Sequence, residues 1–237
     1  LVILESTSPV GTTQKLIEWM RQERRDLSFP ELGVKDIFDV FIAYCAERVL
    51  PGNVVSELVE NDRIIGGMTA HYSEKAHDFY NNFIESECLI TDSRTAELSK
   101  LVENSFRDVN IAFANELSLI CDKADINVWE LITLANKHPR VNILQPGTGV
   151  GGHCIAVDPW FIVSKDPECS KIIRKAREVN DSKPEWVVEK IMREVKDISE
   201  KEGYQPKVAC LGLSFKPETD DIRESPLIKV IKKLKSM

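Results

Sequence analysis

The residues best suited to chemistry lie between Gly147 and Trp160, in the sequence GTGVGGHCIAVDPW. Several glycines precede a single cysteine, Cys154, and Asp158 follows it four residues later. Glycine lets a ligand approach the main chain closely, and a cysteine in such a loop can act as a positioned nucleophile. The alternative is a tight turn with an inert cysteine packed beneath it, which is the commoner use of this residue.

A second set of chemical groups shares one face of a helix predicted over about residues 93–122. Lys100, Asn104 and Arg107 are spaced i, i+4 and i+7, so they lie on the same side. An ammonium group can lower the pKa of a nearby thiol and stabilise a developing oxyanion. Periodicity alone favours a plain solvated face that lies opposite an apolar stripe. The members of this stripe are Leu98, Leu101, Val102, Phe106, Val109 and Phe113.

The surrounding pattern predicts an α/β region followed by helices. Strands at 1–4, 38–45, 64–67 and 88–91 alternate with helices, which is typical of a doubly wound sheet. We expect Thr12 or Thr13 to cap the first helix, and Asp92 to cap the long helix at 93–122. Further helices are predicted at about 126–137 and 170–201, the last one closed by Gly203. A strand at Lys207–Leu213 is predicted to open a second α/β unit.

Composition narrows the partners and the compartment. The net charge of −7 over 237 residues provides no general field for nucleic acid or an anionic membrane, and the apolar runs are too short to span a bilayer. None of the six cysteines forms a C-x-x-C pair, so we expect neither a metal site nor a disulfide framework, and a cytoplasmic location. Because the chain begins without Met in a strand-like run, we expect it to be the middle of a longer protein and inactive alone.

Five motifs occur in the order used by the UDP-glucose/GDP-mannose dehydrogenase family, which the chain resembles nearly from end to end. They are ESTSPVGTT at 5–13, AERVLPGN at 46–53, AELSKLVENSF at 96–106, HPRVNILQPGTGVGGHCIAVDPWF at 138–161 and LGLSFKPETDDIRES at 211–225. The resemblance implies an α/β fold in three parts: the C-terminal part of a Rossmann-like NAD-binding domain (1–92), a central all-helical dimerisation domain (93–203), and the start of a second Rossmann-like, UDP-binding domain (204–237). The G-x-G-x-x-G loop of the NAD domain is not among these residues.

This family oxidises the C6 alcohol of a UDP-sugar to a carboxylate with two NAD⁺. By resemblance, Cys154 is the nucleophile, while Lys100, Asn104 and Asp158 order the water that takes up the alcohol proton. Glu47 helps water to hydrolyse the thioester, a task suited to a carboxylate whose pKa is raised by burial. Thr7 lies at the nicotinamide and the catalytic water.

The resemblance also assigns residues that hold the substrate, and arginine suits a diphosphate because its planar fork donates hydrogen bonds in pairs. The assigned positions are Arg48, the Val49 backbone, Arg107, His138, Arg140, Gly151, Phe215, Lys216 and Arg223. Since some family arginines reach a neighbouring subunit, we expect a homodimer or a higher homo-oligomer.

The choice of sugar rests on finer details of the sequence. His153 and Val157 stand where the glucose enzymes usually carry Ser and Lys, which favours an N-acetylated sugar. By resemblance alone, the runs VDPWFIV and REVND favour UDP-N-acetyl-D-mannosamine, with UDP-N-acetylglucosamine and UDP-glucose as alternatives. Two other interpretations remain open: an inactive assembly fragment, and a dehydrogenase of the 6-phosphogluconate type, which gives no reason for a nucleophilic cysteine.

Overall fold

The computed structural model describes residues 1–30, 38–49, 52–216 and 220–237, and the motif residues 50–51 and 217–219 lie outside the described set. The chain divides into two compact units, Leu1–Glu103 and Asn104–Met237. The elements in chain order are β1 (Val2–Leu4), α1 (Thr12–Glu23), β2 (Ile42–Tyr44), α2 (Val54–Glu60), β3 (Arg63–Gly67), α3 (Ala70–Tyr80), β4 (Cys88–Asp92), α4 (Ser93–Ala124), α5 (Val128–Ala135), α6 (Asp158–Lys165), α7 (Lys171–Glu202) and α8 (Pro226–Ser236).

The first unit is built on a four-stranded sheet in the order β1-β2-β3-β4. β1 pairs with β2 and β3 with β4 in parallel, as the alternating pattern predicted, but β2 and β3 are antiparallel. Successive residues of β2 enter different apolar clusters: Ile42 packs with Ile17 and Tyr72, and Ala43 packs with Ile65 and Ala76. This alternation is the period-two pattern of a strand buried on both faces.

The parallel pairing of β1 and β2 brings the residues after both strands to one edge of the sheet. Cys45 N donates to Leu4 O at 3.0 Å, and Glu47 N donates to Glu5 O at 3.1 Å. The segments carrying Thr7 and Glu47 therefore leave the sheet side by side, at the edge where α/β sheets bind ligands.

The start of α1 is capped by a residue distant in sequence, so the prediction that Thr12 or Thr13 caps it was wrong. Gly11 occupies the N-cap position with φ 95°. The buried carboxylate of Glu97 accepts bonds from Gly11 N at 2.5 Å, from Thr13 N at 2.7 Å and from Thr13 Oγ1 at 2.7 Å. A carboxylate satisfies the free N–H groups and the positive end of the helix better than a hydroxyl.

The second unit is helical, and α6 and α8 pack against α7. The predicted cap of the long helix α4 is confirmed, because Asp92 accepts from Thr95 N at 3.0 Å and from Thr95 Oγ1 at 2.6 Å. The predicted end of α7 is also confirmed, since Gly203 follows it with φ 73°. The strand predicted at Lys207–Leu213 was wrong: these residues form no strand, and in the described part of this unit there is no other strand with which they could pair.

Most of the apolar stripe predicted on α4 does not form its buried face, although Leu101 is only 1% exposed. Asp108 and Asn115 are fully buried, whereas Phe106 is 68% exposed and Phe113 is 51% exposed. Buried polar groups must be hydrogen-bonded to be tolerated, and an exposed row of large apolar side chains is typical of an interaction surface. Among the described residues, no helix has the length and apolar character needed to cross a membrane.

Replacing Glu97 with alanine is expected to lower the free energy of unfolding by about 2–4 kcal/mol, because three donors lose a charged acceptor in a buried place. Glu116→Ala is the matched control, since Glu116 is an exposed acid on the same helix, and its effect should stay within about 0.5 kcal/mol. Urea denaturation of both variants measures the difference. Equal destabilisation would show that Glu97 does not cap α1.

Candidate active site

The glycine-rich loop is packed tightly against the segment that precedes α8. A Cβ atom on Gly151 would lie 2.5 Å from Phe215 Cβ and 3.0 Å from Glu224 O. Gly152 has φ 82° and faces the Phe215 ring, and its N–H donates to Arg223 O at 2.9 Å. Gly151 is therefore required for close approach and Gly152 for its backbone conformation as well. The two motifs that surround Cys154 and Arg223 in sequence meet in space.

Cys154 lies at the entrance to α6. Its carbonyl oxygen accepts from Val157 N at 3.0 Å and from Asp158 N at 2.8 Å, which ties it to the first turn of that helix. The residue is half-buried, so it is not a cysteine sealed within apolar packing. A thiol near the N-terminus of a helix is in a place that favours its thiolate.

Among the described residues of this unit, Arg223 is a charged group that interacts electrostatically with Cys154. The largest cause that raises the pKa of Arg223 is its hydrogen bond to Asp221, and the electrostatic interaction with Cys154 raises this pKa further. We had assigned Arg223 to the substrate alone. Asp221, two residues before Arg223 in the same motif, accepts from its Nη2 at 2.6 Å, and this contact lowers the pKa of Asp221 to about 2.

Asp158 and Asn104 are brought into direct contact. Asp158 is the first residue of α6 and is only 4% exposed, and its Oδ2 accepts from Asn104 Nδ2 at 2.5 Å. The amide donor compensates part of the cost of removing this carboxylate from water. Lys100 lies one turn before Asn104 in α4 and is half-buried.

The first unit carries Thr7, Glu47, Arg48 and Val49 near the end of β1 and after β2. Thr7 is half-buried. Glu47 is exposed, so the expectation that this carboxylate is buried was wrong. Its carboxylate accepts a hydrogen bond from Val49 N, two residues further on. The guanidinium of Arg48 pairs with Glu103 and donates to Asp62 O at 3.2 Å.

The remaining residues assigned to the substrate lie on the surface of the second unit. Arg107, His138, Arg140 and Lys216 are all exposed. Arg140 N donates to His138 Nδ1 at 3.3 Å, so these two residues share one turn. Sequence reasoning missed Glu103 and Asp221, the acidic partners of Arg48 and Arg223, although both lie inside the motifs quoted above.

The described residues fit part of an NAD site. Thr7 follows β1 at the sheet edge that binds nucleotides in doubly wound folds. The N-terminus of α1, a common place for a phosphate, is instead filled by the carboxylate of Glu97. The first N–H groups of α1 are thus already bonded to Glu97, and the placement of Thr7 at the nicotinamide stays a prediction.

Comparison with known proteins identifies the family. Models of the UDP-glucose/GDP-mannose dehydrogenase family match this chain with their NAD binding domain at residues 1–84, their central domain at 94–182 and their UDP binding domain at 209–237. The chain therefore belongs to the UDP-glucose/GDP-mannose dehydrogenase family.

Three similar proteins illustrate the match. A UDP-N-acetyl-D-mannosamine dehydrogenase of Campylobacter jejuni is 64% identical, over 100% of this chain and 56% of its own length. An NDP-N-acetyl-D-galactosaminuronic acid dehydrogenase of Ralstonia solanacearum is 59% identical, over 98% of this chain and 53% of its own. The solved structure of a UDP-D-ManNAc dehydrogenase from Pyrococcus horikoshii superposes with a TM-score of 0.86 at 40% identity, over 100% of this chain and 54% of that one. The chain thus spans about half the length of the relatives it matches.

Gly151→Ala is expected to destabilise the chain by about 1–3 kcal/mol, because the added methyl group meets Phe215 and the Glu224 backbone. Gly147→Ala is the control within the same loop, since its nearest neighbour would be Gly149 O at an ordinary 3.8 Å. Thermal unfolding measures stability, and hydrogen exchange of 211–216 and 220–225 reports whether these residues have separated from the loop. Unchanged exchange in Gly151→Ala would contradict the packing described here.

Proposed function

We propose that this chain is part of an NAD-dependent dehydrogenase that oxidises the C6 alcohol of UDP-N-acetyl-D-mannosamine to the carboxylate through a covalent cysteine intermediate. The proposal follows the family and the names of the relatives. The single observation that carries the chemistry is that a half-buried Cys154 is tied to the turn that presents the buried Asp158 to Asn104.

The first oxidation needs a base for the alcohol. We assign this step to a water held by Lys100, Asn104 and Asp158. Buried carboxylates are suited to proton transfer because they are preorganised and shielded from bulk water. When bound, NAD⁺ supplies the hydride acceptor for both oxidations.

The second oxidation uses Cys154. Its thiolate attacks the C6 aldehyde, a C–S bond forms, and the carbonyl oxygen becomes the alkoxide of a thiohemiacetal. Loss of hydride from this carbon leaves a thioester. Water, deprotonated with the help of Glu47, then breaks the C–S bond and releases the acid and the thiolate. The cation of Lys100 stabilises the oxyanions, and Arg223 acts on the charge of the sulfur.

The substrate is held, in this proposal, by Arg48, Val49, Arg107, His138, Arg140, Gly151, Phe215, Lys216 and Arg223. Arg48 and Arg223 already have carboxylate partners. A diphosphate is therefore recognised by exchange of one anionic partner for another, which preserves the bidentate geometry of arginine.

The names of the relatives differ in the sugar. The name of the Campylobacter relative supports UDP-N-acetyl-D-mannosamine, while the Ralstonia relative, only slightly less similar, is named for an N-acetylgalactosamine-derived product. Both sugars carry an N-acetyl group, in agreement with His153 and Val157.

We also propose a homodimer or a higher homo-oligomer, polysaccharide precursor synthesis in the cytoplasm, and the domain division 1–92, 93–203 and 204–237. An apolar row on α4 and the neighbouring α5 supports self-association, since large apolar residues left in water are costly. Its exposed members include Phe106, Phe113, Ile120, Trp129 and Leu134. The six free cysteines agree with a reducing compartment.

The function is tested with a chain extended at both ends by the matching segments of the Campylobacter relative. We expect UDP-N-acetyl-D-mannosamine to yield two NADH per sugar, detected by absorbance and by mass spectrometry of the acid. Cys154→Ser should abolish acid formation, while Cys169→Ser, at an exposed position, should not. Oxidation of UDP-glucose alone would refute the assigned sugar, and full turnover by Cys154→Ser would remove the covalent step.

Self-association is tested separately on the 237-residue chain. The double variant Phe106→Glu and Phe113→Glu is expected to shift a dimer to monomer in sedimentation velocity, because it buries like charges in an apolar interface. Val55→Glu, at an exposed apolar residue on α2, should leave the dimer intact. A parent chain that sediments as a monomer would contradict this part of the proposal.

A further inference from the structure

Two buried charges lie between α4 and α7 in the second unit. Arg177 is 1% exposed and Asp108 is fully buried, and Arg177 Nη1 donates to Asp108 Oδ1 at 2.7 Å. Arg177 Nη2 also bonds to Asp181, one turn further along α7. Burying a guanidinium and a carboxylate is costly even when they are paired, so this pair needs an explanation beyond the stability of the two helices.

The pair is the centre of a directional chain of hydrogen bonds. Asn180 Nδ2 donates to Asp108 Oδ1 at 2.8 Å, and Asn115 Nδ2 donates to Asn180 Oδ1 at 2.8 Å. Asn115 Oδ1 then accepts from Gly147 N at 2.8 Å. A carboxylate at one end can only accept and an amide N–H at the other can only donate. Both side-chain amides are therefore held in a single orientation.

The other end of the network also meets the cysteine loop. Arg177 Nη1 points to Ile155 O at 3.5 Å, immediately after Cys154. Between these two attachments, Gly149 lies against Asn180 O, at 3.1 Å from an added Cβ. Pro184, four residues on, lacks the N–H that would otherwise bond to this carbonyl within the helix. The loop is thus held at three points: Gly147, Gly149 and Ile155.

We propose that Arg177, Asp108, Asn180 and Asn115 are positioning residues that fix the cysteine loop from Gly147 to Ile155 and thereby set the reactivity of the Cys154 thiol. They act through the loop backbone and do not touch the sulfur in the contacts given above. The inference rests on the proposed function in one respect: the covalent role of Cys154 is the reason why its thiol must be positioned. The test does not require catalytic turnover.

The experiment measures alkylation of Cys154 by iodoacetamide between pH 6 and pH 10 in the 237-residue chain, resolved by peptide mass spectrometry. The exposed Cys169 is the internal reference. Asn115→Ala is expected to shift the pH midpoint for Cys154 by at least about 0.5 unit, or about threefold in rate at a fixed pH, because the sulfur is no longer held in its local field. Ser118→Ala is the matched control: Ser118 is buried in α4 and bonds to Asn115 O and Lys183, but not to the loop.

A second pair of variants removes the same bond from the loop side and leaves both helices intact. Gly147→Pro deletes the N–H that Asn115 accepts, and Gly147→Ala keeps it in a position with room for a methyl group. We expect Gly147→Pro to reproduce the shift and Gly147→Ala to behave as the parent. If Asn115→Ala does not fold, the comparison of Gly147→Pro with Gly147→Ala tests the positioning role instead.

Unchanged Cys154 profiles in Asn115→Ala and Gly147→Pro would overturn the inference, and so would equal shifts in the variants and their controls. A shifted profile in a chain whose extended form oxidises no UDP-sugar would uphold the positioning role and refute the proposed function.

Discussion

The structure of the helical unit depends on keeping Arg177 and Asp108 paired away from water. Burial raises the pKa of Asp108 even though the Arg177 charge opposes this shift, so the carboxylate carries an unrelieved desolvation cost. Because either charge alone would cost far more, α4 and α7 are confined to the single register that joins them. A slip by one helical turn, about 5.4 Å, would separate Asp108 from both Arg177 and Asn180.

This constraint reaches the candidate active site through the backbone. Asn180 bonds to Asp108 and accepts from Asn115, which in turn accepts from Gly147 N. The residues after Cys154 begin α6, which packs on α7. On the far side, the loop meets Phe215, Glu224 and Pro226. The glycines are therefore needed because the loop passes between α7 on one side and Phe215, Glu224 and Pro226 on the other. Their role here is close packing, for which flexibility of the loop is not required.

The sequence predicted the helices and strands far better than their long-range pairing, capping and burial. Most helices and strands were found because caps such as Asp92 and Gly203 act locally. The strand at 207–213 failed because pairing depends on neighbours, and the first helix is capped by Glu97 from 86 residues away. The burial of polar residues on α4 escaped prediction for the same reason, because burial of Asp108 depends on Arg177, 69 residues further along.

The site divides in the same way. The motifs name Cys154, Asp158 and Asn104 as candidates, and the structure brings Asp158 and Asn104 into contact. REVND, which by resemblance favours one sugar, carries Arg177 and Asn180, the two α7 members of the network. The two carboxylates also differ in a way that the sequence does not reveal, since Asp158 is buried against an amide while Glu47 remains in water. A protected carboxylate suits the relay of one proton from a bound alcohol. In the proposed mechanism, the exposed Glu47 acts on water drawn from solvent, without the burial that we expected for a general base.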